Sequence, residues 1–188
     1  MLMMNQGKVI SETKNTIELI APEKSDFFID NMNQIERNNA PFYYVKRKGD
    51  FILKVRVKPD FKNTYDAGGL FIFDSKKKWI KLEFEKTDIG YTSIVSVITN
   101  GTSDDCNGEK VDKNNHVFLQ IMRKDDYWCL YYSIDGKSWK MVRYFKLKMK
   151  NEVKIGIVVQ SPIGNGCKVL FSNFKIANNE IKNIRKGK

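Results

Sequence analysis

Residues 79–85 place polar and aromatic side chains at every second position. The odd positions carry Trp79, Lys81, Glu83 and Glu85. The even positions between them carry Ile80, Leu82 and Phe84. Successive side chains of a β-strand point to opposite faces, so this alternation predicts one apolar face and one face with an aromatic ring, a cation and two carboxylates. That second face is a candidate ligand-binding floor.

The chemistry of this face suits a carbohydrate. Sugar rings present apolar C–H faces and hydroxyl edges, so a flat aromatic such as Trp79 beside charged hydrogen-bonding groups can hold one. Arg143, on a later predicted strand, offers five further donors, and Asp66 and Asp104 complete the candidate ligand-binding residues. The predicted partner is an oligosaccharide or glycoconjugate. The structural alternatives are a cross-strand ladder of ion pairs beside a half-buried Trp79 and a turn role for Asp66.

Glu83 and Glu85 also raise an enzymatic alternative. Their Cα atoms, two residues apart on a strand, are expected about 6.5–7 Å apart. Carboxyl groups about 5–5.5 Å apart serve a retaining glycosidase as nucleophile and acid. Lys81 argues against this reaction, because an adjacent cation holds a carboxylate ionised rather than raising its pKa. We therefore predict a non-catalytic module, with a glycoside hydrolase that uses Glu83 and Glu85 as the alternative.

The rest of the chain has the pattern of short strands joined by turn residues. The predicted strands are 16–21, 27–31, 42–47, 50–57, 67–74, 78–86, 91–99, 116–123, 127–133, 138–145, 153–160 and 168–176. The polar stretches 33–39 and 100–115 are predicted loops, and Asp135-Gly136 predicts a hairpin with a type I′ turn. Many short strands without helical periodicity predict an all-β fold, an antiparallel β-sandwich.

The length and composition fit one globular domain. The chain has 188 residues, of which 41% are hydrophobic, enough for a full core. We predict an N-terminal extension at 1–15, a single sandwich domain at 16–177 and a basic C-terminal tail at 178–188. The tail holds the densest basic cluster of the chain, Lys182, Arg185, Lys186 and Lys188. Such a cluster at a terminus is typical of a solvated end.

Charge and hydropathy exclude several classes of function. The formal net charge is +11, but the basic residues are spread thinly along the chain, so no nucleic-acid partner is predicted. No apolar run approaches the roughly 20 residues of a membrane-spanning helix, so no membrane partner is predicted either. The N-terminus lacks the basic and apolar regions of a secretory signal. Cytoplasmic localisation is the resulting expectation.

The sequence lacks the residue groupings that metal and cofactor sites use. Cys106, Cys129 and Cys167 are odd in number and widely spaced, which favours reduced thiols over a disulfide framework or a zinc site. His116 is the single histidine. The stretch around Asp104 lacks the regular acidic spacing of a calcium loop. We therefore predict no metal and no cofactor.

Several short motifs occur in a fixed order along the chain. They are Asn39-Ala40-Pro41-Phe42, Gly49-Asp50-Phe51, Tyr65-Asp66-Ala67-Gly68-Gly69-Leu70, Trp79-Ile80-Lys81 with Glu85, Ser103-Asp104, Ser133-Ile134-Asp135-Gly136 with Trp139 and Arg143, and Ser161-Pro162. In this combination the chain resembles the regulation-of-enolase-like family, a domain family of unknown function in the concanavalin A-like lectin and glucanase superfamily. The resemblance covers nearly the whole chain. It implies a jelly-roll sandwich of two antiparallel sheets, one of them with a concave face.

The resemblance implies less about activity. Glucanases of the superfamily carry a Glu-x-Asp-x-Glu run on one strand, whereas Lys81 stands in the first acidic position here. The family usually has Gly where this chain has Glu83 and Trp where it has Asp105, which indicates a weaker or different ligand. The family's name suggests a third class, a protein-interaction module that regulates a metabolic enzyme through an exposed apolar patch. A homodimer remains open.

Overall fold

A computed structural model describes residues 1–111, 115–178 and 181–188 of the chain. These residues form two seven-stranded antiparallel sheets and a separate two-stranded ribbon, and none of them lies in an α-helix. The prediction of an all-β, antiparallel jelly-roll β-sandwich is confirmed.

The two sheets draw their strands from all parts of the chain. The first sheet has the order β1 (Leu2–Met4), β6 (Phe42–Lys48), β15 (Glu152–Gln160), β8 (Ala67–Ser75), β9 (Lys78–Lys86), β10 (Thr92–Asn100), β11 (Ser103–Lys110). The second has the order β14 (Lys140–Lys146), β13 (Tyr127–Ser133), β12 (Val117–Lys124), β7 (Phe51–Pro59), β16 (Cys167–Ala177), β3 (Thr16–Ala21), β2 (Lys8–Glu12). The ribbon pairs β4 (Phe27–Asp30) with β5 (Ile35–Asn38).

The main core lies between the two sheets. Ile80, Leu82 and Phe84 of β9 are fully buried there, in one cluster with apolar residues of the second sheet such as Leu53 and Leu119. The strict alternation along β9 is therefore realised as predicted, with the even positions inside the sandwich. The odd positions of β9 must then lie on the outer face of the first sheet.

A second apolar layer covers part of that outer face. Phe27 of the ribbon packs on Trp79 and Phe71, with ring centroids 5.9 Å and 4.6 Å away. Trp79 consequently has no exposed surface. This corrects the expectation that Trp79 is an open stacking platform. Strand parity determined its face correctly, but the ribbon β4–β5 excludes solvent from it.

Both ends of the chain are built into the sandwich. β1 pairs with β6 at the edge of the first sheet, and β2 pairs with β3 at the edge of the second. Near the other end, a 3₁₀ turn at Ile184–Lys186 packs on the second sheet, where Tyr131 Oη donates to the Ile184 carbonyl at 2.7 Å. Residues 1–15, predicted as an N-terminal extension, therefore supply edge strands of the sandwich. In the segment predicted as a solvated tail, the 3₁₀ turn is held on the second sheet while the basic side chains of Lys182, Arg185, Lys186 and Lys188 are exposed. Residues 179–180 lie outside the described part.

Three predicted connections differ in detail. Residues 33–39 contain β5, and residues 100–115 contain the edge strand β11, although 112–114 lie outside the described residues. The hairpin around Asp135 joins β13 and β14 as expected. Its turn is not type I′, because Gly136 has a positive φ of 71° and Asp135 does not. Asp135 instead accepts hydrogen bonds from the backbone amides of Lys137 and Ser138.

Candidate ligand-binding pocket

A pocket of about 370 Å³ opens on the outer face of the first sheet, beside the ribbon. Its volume falls within the range of about 300–1,000 Å³ that small-molecule sites occupy. The polar lining consists of Asp26, Arg37, Tyr65, Lys81, Glu85, Asp88, Asp105, Asn107 and Gln160. The apolar lining consists of Phe28, Ile35, Val95, Val97, Pro162 and Ile163. Apolar walls around a few converging polar groups are typical of ligand sites.

The register of the first sheet explains why these side chains meet. Lys81 pairs with Val97, and Val97 pairs in turn with Asp105. On the other side of β9, Glu85 pairs with Ala67, which pairs with Gln160. Directly paired residues share a face of the sheet. The pocket floor therefore spans the consecutive strands β9, β10 and β11 and the distant strand β15, with small residues of β8 between β15 and β9.

Lys81 is the centre of a buried polar network in this floor. Its side chain is 2% exposed. The ammonium Nζ lies 2.6 Å from Gln160 Oε1, 3.0 Å from Glu83 Oε2 and 3.4 Å from Asp26 Oδ1. Burial alone lowers the pKa of Lys81, but the carboxylates of Glu83 and Asp26 outweigh that effect and raise it. Lys81 is accordingly a permanent cation within the folded domain.

Glu83 lies beneath the floor rather than in it. Its side chain has no exposed surface, and it does not line the pocket. It passes close to Gly69, where an added Cβ would lie 2.9 Å from Glu83 Cγ. Glycine at position 69 therefore leaves room for the Glu83 side chain. Burial raises the pKa of Glu83 and the ion pair with Lys81 opposes this; because that pair is 3.0 Å long, we assign Glu83 as the ionised partner.

Glu85 has a different environment two residues further on. It lines the pocket while being only 7% exposed. Its Oε2 atom accepts one long hydrogen bond, 3.4 Å from Gln160 Nε2. Within residues 1–111, 115–178 and 181–188, its Oε1 atom accepts none. Burial and then the nearby Glu83 carboxylate raise the pKa of Glu85 well above its ordinary value.

The pocket rim contributes an aromatic ring in a strained backbone conformation. Tyr65 has a φ of 65°, an uncommon value for a residue other than glycine. Its backbone amide donates to the Lys86 carbonyl at 2.6 Å, which fixes this conformation. Such strain persists where the surroundings enforce it and is concentrated at functional sites. Tyr65 and Phe28 are the aromatic side chains that line this pocket.

The edge strand β11 supplies the opposite side of the rim. Asp105 and Asn107 pair with Val97 and Val95 of β10 and therefore face the pocket. Partial desolvation raises the pKa of Asp105, and the charges of Lys81 and Arg143 only partly oppose this. Asp88, in the loop after β9, adds a further carboxylate.

The structure brings together some of the predicted ligand-binding residues and separates the others. Lys81 and Glu85 line the pocket. Asp66 is fully buried and accepts hydrogen bonds from Ser161 Oγ at 2.6 Å and the Asn63 amide at 2.8 Å, so it has the turn role. Asp104 and Arg143 pair with each other at 3.1 Å outside the pocket. The expectation of ligand contact is corrected for Asp66, whereas Asp104 and Arg143 lie outside the lining of this pocket.

Several pocket residues were missed from the sequence. Asp105 and Asn107 lie in a segment that was predicted to be a loop. The alternation of these polar residues was the only sign of a strand there. Gln160 stands at the end of a predicted strand, two residues after Val158, and its parity alone would have placed it on the outer face. Asp26 carried no signal, since its approach to Lys81 depends on the fold of the ribbon.

Among the described residues, no group of three or more His, Cys, Asp or Glu side chains is arranged to hold a metal ion. The part of the chain that the structure describes has no helix long and apolar enough to cross a membrane. Cys106, Cys129 and Cys167 are free thiols.

Several known proteins are similar to this chain in sequence or in fold. The chain is 25% identical over 173 residues to Regulation of enolase protein 1 of Saccharomyces cerevisiae, covering 92% of this chain and 87% of that protein. A crystal structure of a functionally unknown Saccharomyces cerevisiae protein is similar with a TM-score of 0.89 and 24% identity, covering 95% of this chain and 97% of the other. The GH43 protein BlXynB of Bacillus licheniformis shares the fold over 33% of its length and 87% of this chain, with a TM-score of 0.66 and 13% identity. The model of the family described as protein of unknown function (DUF1349) matches residues 3–179, so the chain belongs to that family.

Proposed function

We propose that the chain is a non-catalytic carbohydrate-binding module and that the pocket on the first sheet holds the sugar. The observation that carries the proposal is the buried network of Lys81, Gln160 and Glu85, which presents hydrogen-bonding groups at the base of a cavity with apolar walls. Desolvated, pre-positioned polar groups give a ligand site its orientation and specificity. Hydroxyl groups can both donate and accept, so they match a floor of mixed donors and acceptors.

The apolar part of the pocket suits the C–H face of a sugar ring. Val95 and Val97 lie side by side on β10 between the polar groups of β9 and β11. Phe28 and Tyr65 face the same cavity from outside the sheet. These side chains take the place that the sequence suggested for Trp79. The proposal places the module in the cytoplasm, where free thiols stay reduced.

A glycoside hydrolase is the second candidate. The raised pKa of Glu85 is a property that a catalytic acid needs at neutral pH. Its partner, however, must reach the substrate as nucleophile, and Glu83 is fully buried below the floor. The pair therefore lacks an accessible nucleophile, and we favour binding without turnover.

A protein-interaction module is the third candidate, suggested by the name of the yeast relative. It needs a contiguous exposed apolar patch. Ile35 and Ile163, which are 36% and 63% exposed, stand at the pocket. Two such side chains fit the mouth of a small-molecule site better than a protein interface, because isolated exposed apolar residues are normal on soluble proteins.

A glycan array followed by calorimetry tests the proposal. The pocket variant is Asp105→Asn, and the matched control is Asp104→Asn, one residue earlier on β11 and outside the pocket. We expect Asp105→Asn to weaken binding of the array's best oligosaccharide by about tenfold, the effect of losing a charged hydrogen-bond partner, and Asp104→Asn to leave it unchanged. Absence of any binding glycan, or equal losses in both variants, would refute the proposal. Hydrolysis of the bound oligosaccharide would favour the second candidate.

A further inference from the structure

The pocket concentrates negative charge on a chain whose net charge is +11. Four carboxyl groups line it, against the two cations Lys81 and Arg37. We propose that the pocket is selective for an amino sugar, with a protonated primary amine bound at Glu85. The proposal rests on the proposed carbohydrate function and narrows its ligand class.

The two cations of the pocket are already engaged. Lys81 lies 3.0 Å from Glu83 and 3.4 Å from Asp26, so its charge is shared by two carboxylates. Arg37 Nη1 donates to the Pro162 carbonyl at 3.2 Å. Glu85 has no ion pair within the described residues, and Asp105 has none there either. These two groups remain available to a cation that enters the pocket.

Glu85 is the group built to receive that cation. It is more than nine-tenths buried yet faces the cavity, and its Oε1 atom has no hydrogen-bond donor among the described residues. This atom is open to the cavity rather than sealed within the protein, so it can accept a hydrogen bond from a ligand. An ammonium group supplies three donors and a positive charge, and it would stabilise the ionised carboxylate.

The width of the pocket floor indicates a ligand larger than a simple amine. Glu85 is on β9 and Asp105 is on β11, with β10 between them. Strands two positions apart lie roughly 10 Å from each other. A single ammonium group therefore cannot contact both carboxylates. A sugar ring above Val95 and Val97 can place its amine at Glu85 while a hydroxyl group faces Asp105.

The charges around Glu85 predict that ligand binding releases a proton. The groups that act on Glu85 are Glu83, Lys81, Asp105, Asp26 and Tyr65. Burial and Glu83 together raise the pKa of Glu85, so at a given pH the empty pocket holds the proton on Glu85 more strongly than water does. A bound ammonium lowers that pKa, because an opposite charge at hydrogen-bond distance favours the ionised form. Binding of an amino sugar should therefore expel a proton from Glu85.

Calorimetry of the full chain at pH 6 tests the proposal with four probes. They are the glucosamine tetramer, its N-acetylated form, cellotetraose and cyclohexylamine. We expect the glucosamine tetramer to bind about tenfold to a hundredfold more tightly than cellotetraose, the range for one charged hydrogen bond. Its binding enthalpy should depend on the ionisation enthalpy of the buffer, since a proton is released. The N-acetylated tetramer, which has no charged amine, should behave like cellotetraose.

A conservative variant tests whether the preference for an amino sugar depends on the Glu85 carboxyl group. Glu85→Gln keeps the shape of the side chain but cannot carry the charge, so the ratio of the two tetramer affinities should fall close to one and the buffer dependence should vanish. Asp104→Asn should retain both the ratio and the buffer dependence. Thermal melting checks that each variant is folded.

The outcomes separate this inference from the proposed function. Equal affinity for cellotetraose and the glucosamine tetramer would overturn the amine preference and leave carbohydrate binding supported. Binding of cyclohexylamine as tight as that of the glucosamine tetramer, without any cellotetraose binding, would support the amine site and overturn the carbohydrate function. Absence of binding by all four probes would overturn both.

Discussion

Replacing Lys81 with methionine tests the buried network directly. The change keeps a long, flexible side chain but removes the ammonium that lies within 3.4 Å of Gln160, Glu83 and Asp26. Glu83 has no exposed surface, so its carboxylate would be left buried without a counter-charge. Removing one partner of a buried ion pair typically costs about 3–5 kcal/mol. In a domain of this size that corresponds to a melting temperature lower by roughly 6–20 °C.

Denaturant unfolding of a double-mutant cycle measures this cost. We expect Lys81→Met to lower the free energy of unfolding by about 3–5 kcal/mol at pH 7. Adding Glu83→Gln should recover about 1–3 kcal/mol, because the second change removes the stranded charge. The loss should also shrink towards pH 4, where Glu83 can take up a proton instead. A loss below about 1 kcal/mol, or no coupling between the two substitutions, would show that the ion pair is absent in solution.

Two further predictions concern stability. Trp79→Ala should lower the free energy of unfolding, measured in urea, by about 3–5 kcal/mol, because the side chain is fully buried. Leu82→Ala should cost a comparable amount, since Leu82 is fully buried as well. An unchanged free energy of unfolding in Trp79→Ala would mean that the ribbon leaves Trp79 open to solvent. Glu85 has a raised pKa in the folded state, so the folded chain keeps a proton that the unfolded chain loses above about pH 4.5, its ordinary pKa. Stability should therefore fall as pH rises above that point. Unfolding midpoints from pH 4 to 7 should show a smaller fall for Glu85→Gln than for the wild type, and parallel profiles would contradict the assignment.

The local pattern of the sequence was enough to place the strand faces. Strict alternation puts Ile80, Leu82 and Phe84 inside the sandwich, and the structure shows them there. The turn before β9 and the hairpin at Asp135 also depend on short segments. These features are predictable because side-chain direction on a strand is a property of neighbouring residues alone.

The solvent exposure of a face depends on distant segments instead. Trp79 is on the predicted face but lies under Phe27, which belongs to a ribbon formed early in the chain. Asp26 and Gln160 reach Lys81 for the same kind of reason, since the docking of the ribbon positions Asp26 and the register of non-consecutive strands positions Gln160. The segment holding Asp105 was mistaken for a loop, because Asp, Asn and Gly are poor strand formers and only its pairing with β10 makes it a strand. The strand propensity of a segment does not show which other strand it will pair with.

Backbone amide chemical shifts, recorded while cellotetraose, xylotetraose and the glucosamine tetramer are titrated in turn, test the central claim that the pocket on the first sheet is the sugar site. We expect at least one tetramer to shift the amides of Lys81, Val95, Asp105 and Gln160, which border the pocket. Amides of β7 and β12 on the second sheet should stay unchanged. Shifts confined to the second sheet, or no shift with any tetramer, would contradict the claim.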